Sequence, residues 1–182
     1  MKAAVIGIGN ILYGDDGIGV ITTNALMTRY RFSENCEIID GGTKGIELLP
    51  IIEELDALIL VDAVEFGVEP GEIKIIEDQN MKAYLDLKFS VHQIGIPDML
   101  FAMEFKGIKP PKICLVGIQP DTLGFEMSLT TKVSDKLDEL VEIIVERLEQ
   151  WGVTVKTRDP EDVYTPSPEF NIYVPGNSIK DN

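Results

Sequence analysis

Five residues whose types could do chemistry fall on loops after apolar runs: Asp15 and Asp16, Asp40, Asp62, and His92, which is the sole histidine of the 182-residue chain. One imidazole with several carboxylates sets firm limits. A zincin motif needs two histidines and is excluded. A serine–histidine–aspartate triad has Ser90 nearby in sequence, but no G-x-S-x-G elbow presents a nucleophile. A cysteine–histidine pair fares no better. Cys36 begins an apolar run and Cys114 lies inside one, so both read as core residues. What remains suits a divalent transition ion with positions left open for water or substrate. The plain alternative for Asp15 and Asp16 is helix capping, but one aspartate suffices for that, which leaves the other available as a ligand.

The elements that would position these groups follow from hydropathy. Ala3–Ile8, Cys36–Asp40, Ala57–Asp62 and Ile113–Ile118 read as short strands, with continuous apolar runs where both faces are buried. Helices are expected over residues 17–30, over 45–55 with a kink or start at Pro50, and from Pro97 to Lys106. Residues 131–151 carry Val133, Leu137, Leu140, Ile144 and Leu148 at helical spacing before Gly152. Pro70-Gly71 leaves too little chain for a helical crossover, so Glu72–Ile76 is expected to run antiparallel to its neighbour. Val153–Lys156 could add a short strand. The pattern is that of an α/β sandwich with a mostly parallel sheet. Residues 1–157 form one domain, and a proline-punctuated tail over 158–182 reads as an extended strap or disordered end. In such sheets sites form beyond the carboxyl ends of the strands, where Asp16, Asp40, Asp62 and Gln119 all fall.

Composition removes other classes. Thirty-one acidic residues against 16 basic ones give a net charge of −15, which opposes nucleic acid and favours a basic partner or a cation. Gly7-Ile8-Gly9 suggests a dinucleotide loop, but the third glycine of that fingerprint is replaced by Leu12, and Asp15 and Asp16 stand where a phosphate would bind. The run Ala3–Ile8 lacks a following cleavage site and is far short of the roughly 20 residues of a membrane span. A cytoplasmic protein is expected.

The blocks Gly7–Leu12, Asp15–Gly19, Asp40–Gly45, Asp62–Val64, Ser90–Gly95 and Gly117–Pro120, in that order across residues 1–152, resemble the hydrogenase maturation endopeptidases. The resemblance implies a three-layer α/β/α sandwich with one antiparallel strand. It implies that Asp16, Asp62 and His92 bind a divalent metal, nickel foremost. It links Asp40, Gly41, Gly42, Thr43 and Gln93 to substrate handling, with Asp40 a candidate general base by position. The implied partner is a nickel–iron hydrogenase large-subunit precursor, whose C-terminal extension is clipped once nickel is inserted. The alternative is a non-enzymatic nickel-delivery or scaffold protein with the same site.

Overall fold

The computed structural model describes residues 1–77, 80–81, 96–159, 161–162 and 164. Strand β1 (Ala3–Ile8) leads through a tight turn at Gly14–Gly17 into helix α1 (Ile18–Arg29), followed by β2 (Tyr30–Phe32) and β3 (Cys36–Gly42). A second tight turn at Gly45–Leu48 opens the short helix α2 (Leu49–Ile52), and β4 (Ala57–Ala63) and β5 (Ile73–Glu77) come next. Helix α3 (Ile96–Lys106), β6 (Lys112–Ile118), α4 (Thr131–Ser134), α5 (Leu137–Gln150) and β7 (Val155–Thr157) complete the described chain.

The main sheet has the order β3-β1-β4-β6-β5. Its first four strands are mutually parallel, and β5 runs antiparallel to β6, pairing Ile73 with Ile118 and Glu77 with Cys114. The expected antiparallel strand is therefore present, and its partner is β6 rather than β4, the strand before it in sequence.

Alternation along each strand explains why the runs are apolar throughout. Ala3 and Val5 of β1, Ile59 and Val61 of β4, and Val116 of β6 pack with α1 and α5 through Ile18, Leu140 and Ile144. Ala4, Ile6, Leu58, Leu60 and Leu115 face the other way, against α2 and α3 through Ile52, Ile96 and Met99. Side chains two apart share a face, so a strand covered on both sides must be apolar at every position. These are the three layers of an α/β/α sandwich.

Several local expectations change. The helix expected over 131–151 is two helices, because the Lys136 N–H reaches Val133 rather than a carbonyl four residues back, and this tighter turn separates α4 from α5. The second strand continues through Gly41 and Gly42 instead of stopping at Asp40. Tyr30–Phe32 was expected as helix and loop. It is a strand, paired antiparallel with β7 in a separate two-stranded ribbon. The chain just after β7 is fastened there too. Arg158 donates to the Met27 carbonyl at 2.6 Å and pairs with Asp162, which also meets Arg31. The expected strap over 158–182 falls outside the described residues from position 165 onward. Among the described residues, no helix is long and apolar enough to cross a membrane.

Candidate active site

Strand β1 is central in its half of the sheet. The chain moves from β1 to β3 on one side, then returns past β1 to β4 on the other. The helical connections lie on opposite faces, α1 with one core and α2 with the other. That reversal opens a crevice at the carboxyl ends of β1 and β4, the place where open α/β sheets bind ligands. Asp16 follows β1 and Asp62 is the penultimate residue of β4, so this topology brings the two together.

The space between them is set by Gly9. Its backbone takes φ +128°, and a Cβ there would sit 1.7 Å from the Asp16 carbonyl oxygen and 3.6 Å from Asp62 Oδ1. Any side chain at this position would collide with the turn that carries Asp16. The Asn10 N–H donates to Asp16 Oδ2 at 2.7 Å and fixes that carboxyl. Asp62 is only 9% exposed. Burial, and then the nearby Asp16 carboxylate, push its pKa well above the ordinary value, while the Ala63 N–H pulls the other way. Burial also raises Asp16, opposed by the Asn10 N–H. Two acidic groups are thus held beside each other where water solvates them poorly, an arrangement that favours a proton or a cation between them.

Asp15 has a different task. It is fully buried, and its carboxyl accepts from the Asp121 N–H at 2.8 Å, the Thr122 N–H at 3.1 Å, the Thr130 N–H at 2.7 Å and the Thr130 hydroxyl at 3.0 Å. Neither aspartate caps α1, since no side-chain bond closes the turn or the helix N-terminus. The capping alternative fails because both carboxyls turn away from the helix, one toward the 121–130 segment and the other toward Asn10.

The remaining rim residues divide similarly. Asp40 pairs in register with Gly7 and is exposed at the rim of β3, with Gly41 buried behind it. The Gly9 N–H donates to the Gly42 carbonyl at 3.0 Å, so the Asp40–Thr43 segment borders the loop that carries Asp16. Gln119, singled out as a polar group at a strand end, is committed to architecture: its Oε1 receives the N–H groups of Phe66, Gly67 and Val68 at 2.7, 3.0 and 3.4 Å. Cys36 and Cys114 are buried, and burial lifts the Cys36 thiol to about 12, which suits the core role expected of it. His92 and Gln93 lie outside the described residues. Among those described, Asp16 and Asp62 come together, with Asp40 on a neighbouring strand end. Sequence reasoning missed the Asp15 clamp. Its only signal was the pair of adjacent aspartates, one more than a cap needs.

A family model for hydrogenase maturation proteases matches residues 20–147. The chain belongs to the hydrogenase maturation protease family. It is 38% identical over 160 residues to the hydrogenase 2 maturation protease of Escherichia coli (strain K12), covering 87% of this chain and 98% of that protein. It is 39% identical over 167 residues to the hydrogenase expression/formation protein HupD of Rhizobium leguminosarum bv. viciae, covering 91% and 82%. The solved structure of the hydrogenase maturating endopeptidase HybD from Escherichia coli superposes with a TM-score of 0.79 at 38% identity, covering 87% of this chain and 98% of that one. As a member of this family the chain is a protease of hydrogenase maturation.

Proposed function

We propose that this maturation protease removes the C-terminal extension of a nickel–iron hydrogenase large-subunit precursor after nickel insertion, and that Asp16, Asp62 and His92 grip nickel already seated in that precursor. The carrying observation is the Asp16–Asp62 pair, with the acidity of both groups suppressed by burial and that of Asp62 further by its neighbour. The donor set fits a divalent ion: two carboxylates poorly solvated by water are relieved by a cation that displaces the proton. Asp62 alternates onto the same sheet face as Leu58 and Leu60, where Ile96 of α3 packs, and His92 precedes Ile96 by four residues.

In this reading the chain's own residues do most of the positioning. The Asn10 N–H orients Asp16, and the strand orients Asp62. Asp40, on the rim of the strand next to β1, takes a proton from the attacking water as general base and returns it to the amine released as the scissile C–N bond breaks. Asp40, Gly41, Gly42, Thr43 and Gln93 are assigned to handling of the substrate chain, Asp40 from the exposed rim with Gly41 buried behind it. A divalent ion held by the three ligands supplies Lewis-acid polarisation of a carbonyl and a more acidic water. Because two carboxylates and one imidazole leave a coordination shell incomplete, the precursor supplies the remaining ligands, and site occupancy becomes a checkpoint on nickel insertion.

The test is a titration of the purified protein against nickel-loaded precursor, nickel-free precursor and processed subunit, with cleavage followed in parallel. Tight binding and cleavage of the nickel-loaded form alone are expected. Equal affinity for all three would rule out sensing through Asp16, Asp62 and His92, since a site that binds each state equally selects none.

A further inference from the structure

Beside the carboxylate crevice lies a group of large apolar side chains that the chemistry above does not use. Leu12 is 39% exposed, Tyr13 44%, Phe125 76% and Met127 45%. The Tyr13 and Phe125 rings meet edge to face, with centroids 5.8 Å apart at 84°. Two segments distant in sequence thus build one aromatic surface.

That surface is firmly attached. The Gly14 N–H donates to the Glu126 carbonyl at 2.6 Å and the Asp15 N–H to the Thr122 carbonyl at 3.2 Å. The buried Asp15 carboxyl holds both ends of the 121–130 segment through Asp121, Thr122 and Thr130. The face also belongs to the same turn as Asp16, whose N–H reaches the Tyr13 carbonyl at 3.2 Å. A molecule resting on Tyr13 and Phe125 is therefore placed at a fixed offset from Asp16. Exposed apolar side chains grouped on a rigid support, with aromatic rings among them, are the usual composition of a binding hot spot.

We propose that Tyr13 and Phe125, with the exposed Leu12 and Met127 next to them along the chain, form a docking face for an apolar, neutral-to-basic segment of the precursor polypeptide, and that Phe125 is a specificity-determining residue for the processing reaction. This rests on the proposed processing of the precursor and adds the surface that selects it. Charge decides the occupant. The chain carries −15 and Glu126 pairs beside Tyr13 at the patch, while Asp121 is neutralised by Lys132 at 3.0 Å, so a second copy of this chain or an anionic lipid surface would be repelled at close range. A neutral or basic protein segment meets no such barrier, and it gains apolar burial beside an acidic rim.

The experiment measures cleavage of nickel-loaded precursor by the wild type and by Phe125→Ser, Tyr13→Ser and Phe125→Tyr, with thermal melting and sedimentation of each. Phe125→Ser and Tyr13→Ser are expected to lower kcat/KM at least tenfold, with the loss in KM. Phe125→Tyr restores it, and melting stays at the wild-type value. Wild-type kcat/KM in Phe125→Ser overturns the docking face while leaving the processing function standing. A dimer in the wild type that becomes a monomer in Phe125→Ser overturns it in favour of self-association. A wild type that fails to cleave the precursor overturns the processing function itself, and the docking face with it.

Discussion

Replacing Asp15 with alanine separates its clamp from the chemistry of its neighbour. The wild-type carboxyl takes four hydrogen bonds from Asp121, Thr122 and Thr130, three of them from backbone N–H groups. Alanine leaves those three donors without their partner. A donor stripped of its partner costs about 1–3 kcal/mol when buried. Asp121 is exposed, so water can reach part of this network, and the sum falls toward the low end, about 4 kcal/mol in all. For a chain of this length that lowers the melting temperature by about 8–16 °C. Asparagine should cost less. With its amide oxygen in the Oδ2 position it keeps the bonds from Asp121, Thr122 and the Thr130 hydroxyl. Its NH2 then faces the Thr130 N–H, donor to donor. Thr130→Val removes the hydroxyl bond alone and should cost about 1 kcal/mol. Differential scanning calorimetry should therefore rank the losses Asp15→Ala, then Asp15→Asn, then Thr130→Val. A melting temperature for Asp15→Ala within about 2 °C of wild type, well under the expected drop, would refute the clamp. Lost cleavage with unchanged melting would instead place Asp15 in the chemistry.

Asp62→Asn should stabilise the isolated protein at neutral pH while abolishing cleavage. The folded pKa of Asp62 is raised by burial and by Asp16, so its contribution is complete below the unfolded carboxyl pKa and is lost as pH rises through the folded value. Melting curves at several pH values should show the Asp62→Asn advantage shrinking as pH falls toward 4, near the unfolded carboxyl pKa, and an advantage independent of pH would contradict this. Gly9→Ala should abolish processing and lower melting together, because its Cβ would meet the Asp16 carbonyl at 1.7 Å; wild-type cleavage in that variant would mean the turn can move aside. His92→Ala should abolish processing with melting unchanged, and a large fall in melting temperature would mark His92 as structural.

The fold was legible where physics is local. Unbroken apolar runs such as Ala57–Val61 require cover on both faces, and Pro70-Gly71 leaves too little chain for a crossover, so a mostly parallel sheet with one antiparallel strand follows. Tyr30–Phe32 was not legible. No turn residue separates it from α1, and it becomes a strand only because β7, more than a hundred residues later, pairs with it. The break between α4 and α5 was hidden for the opposite reason, since helical spacing of Val133, Leu137 and Leu140 survives a tight turn between two short helices. At the site, the meeting of Asp16 with Asp62 was legible from strand ends, but their separate environments were not. Adjacent aspartates look equivalent in sequence. Only the return of the 121–130 segment makes Asp15 a clamp, and only the approach of Gly9 sets Asp16 beside Asp62.

That division of labour bears on why two acidic groups are tolerated side by side. Holding Asp16 near Asp62 raises the free energy of the ionised pair, since burial opposes charge on both groups and the Asp16 carboxylate opposes it further on Asp62. A turn free to relax would lower that cost by swinging Asp16 into water. Here relaxation is opposed from both sides. Asp15 anchors the turn to Thr130, and the Asn10 N–H holds Asp16 itself at 2.7 Å. Stability taken from the clamp thus maintains a pair that the isolated protein would be better without. On the proposed function, nickel arriving in the precursor offsets that cost, and the gain exists only in the loaded complex. On that proposal a site held in this way would select the nickel-bearing precursor by differential free energy, which tight but indiscriminate binding cannot provide.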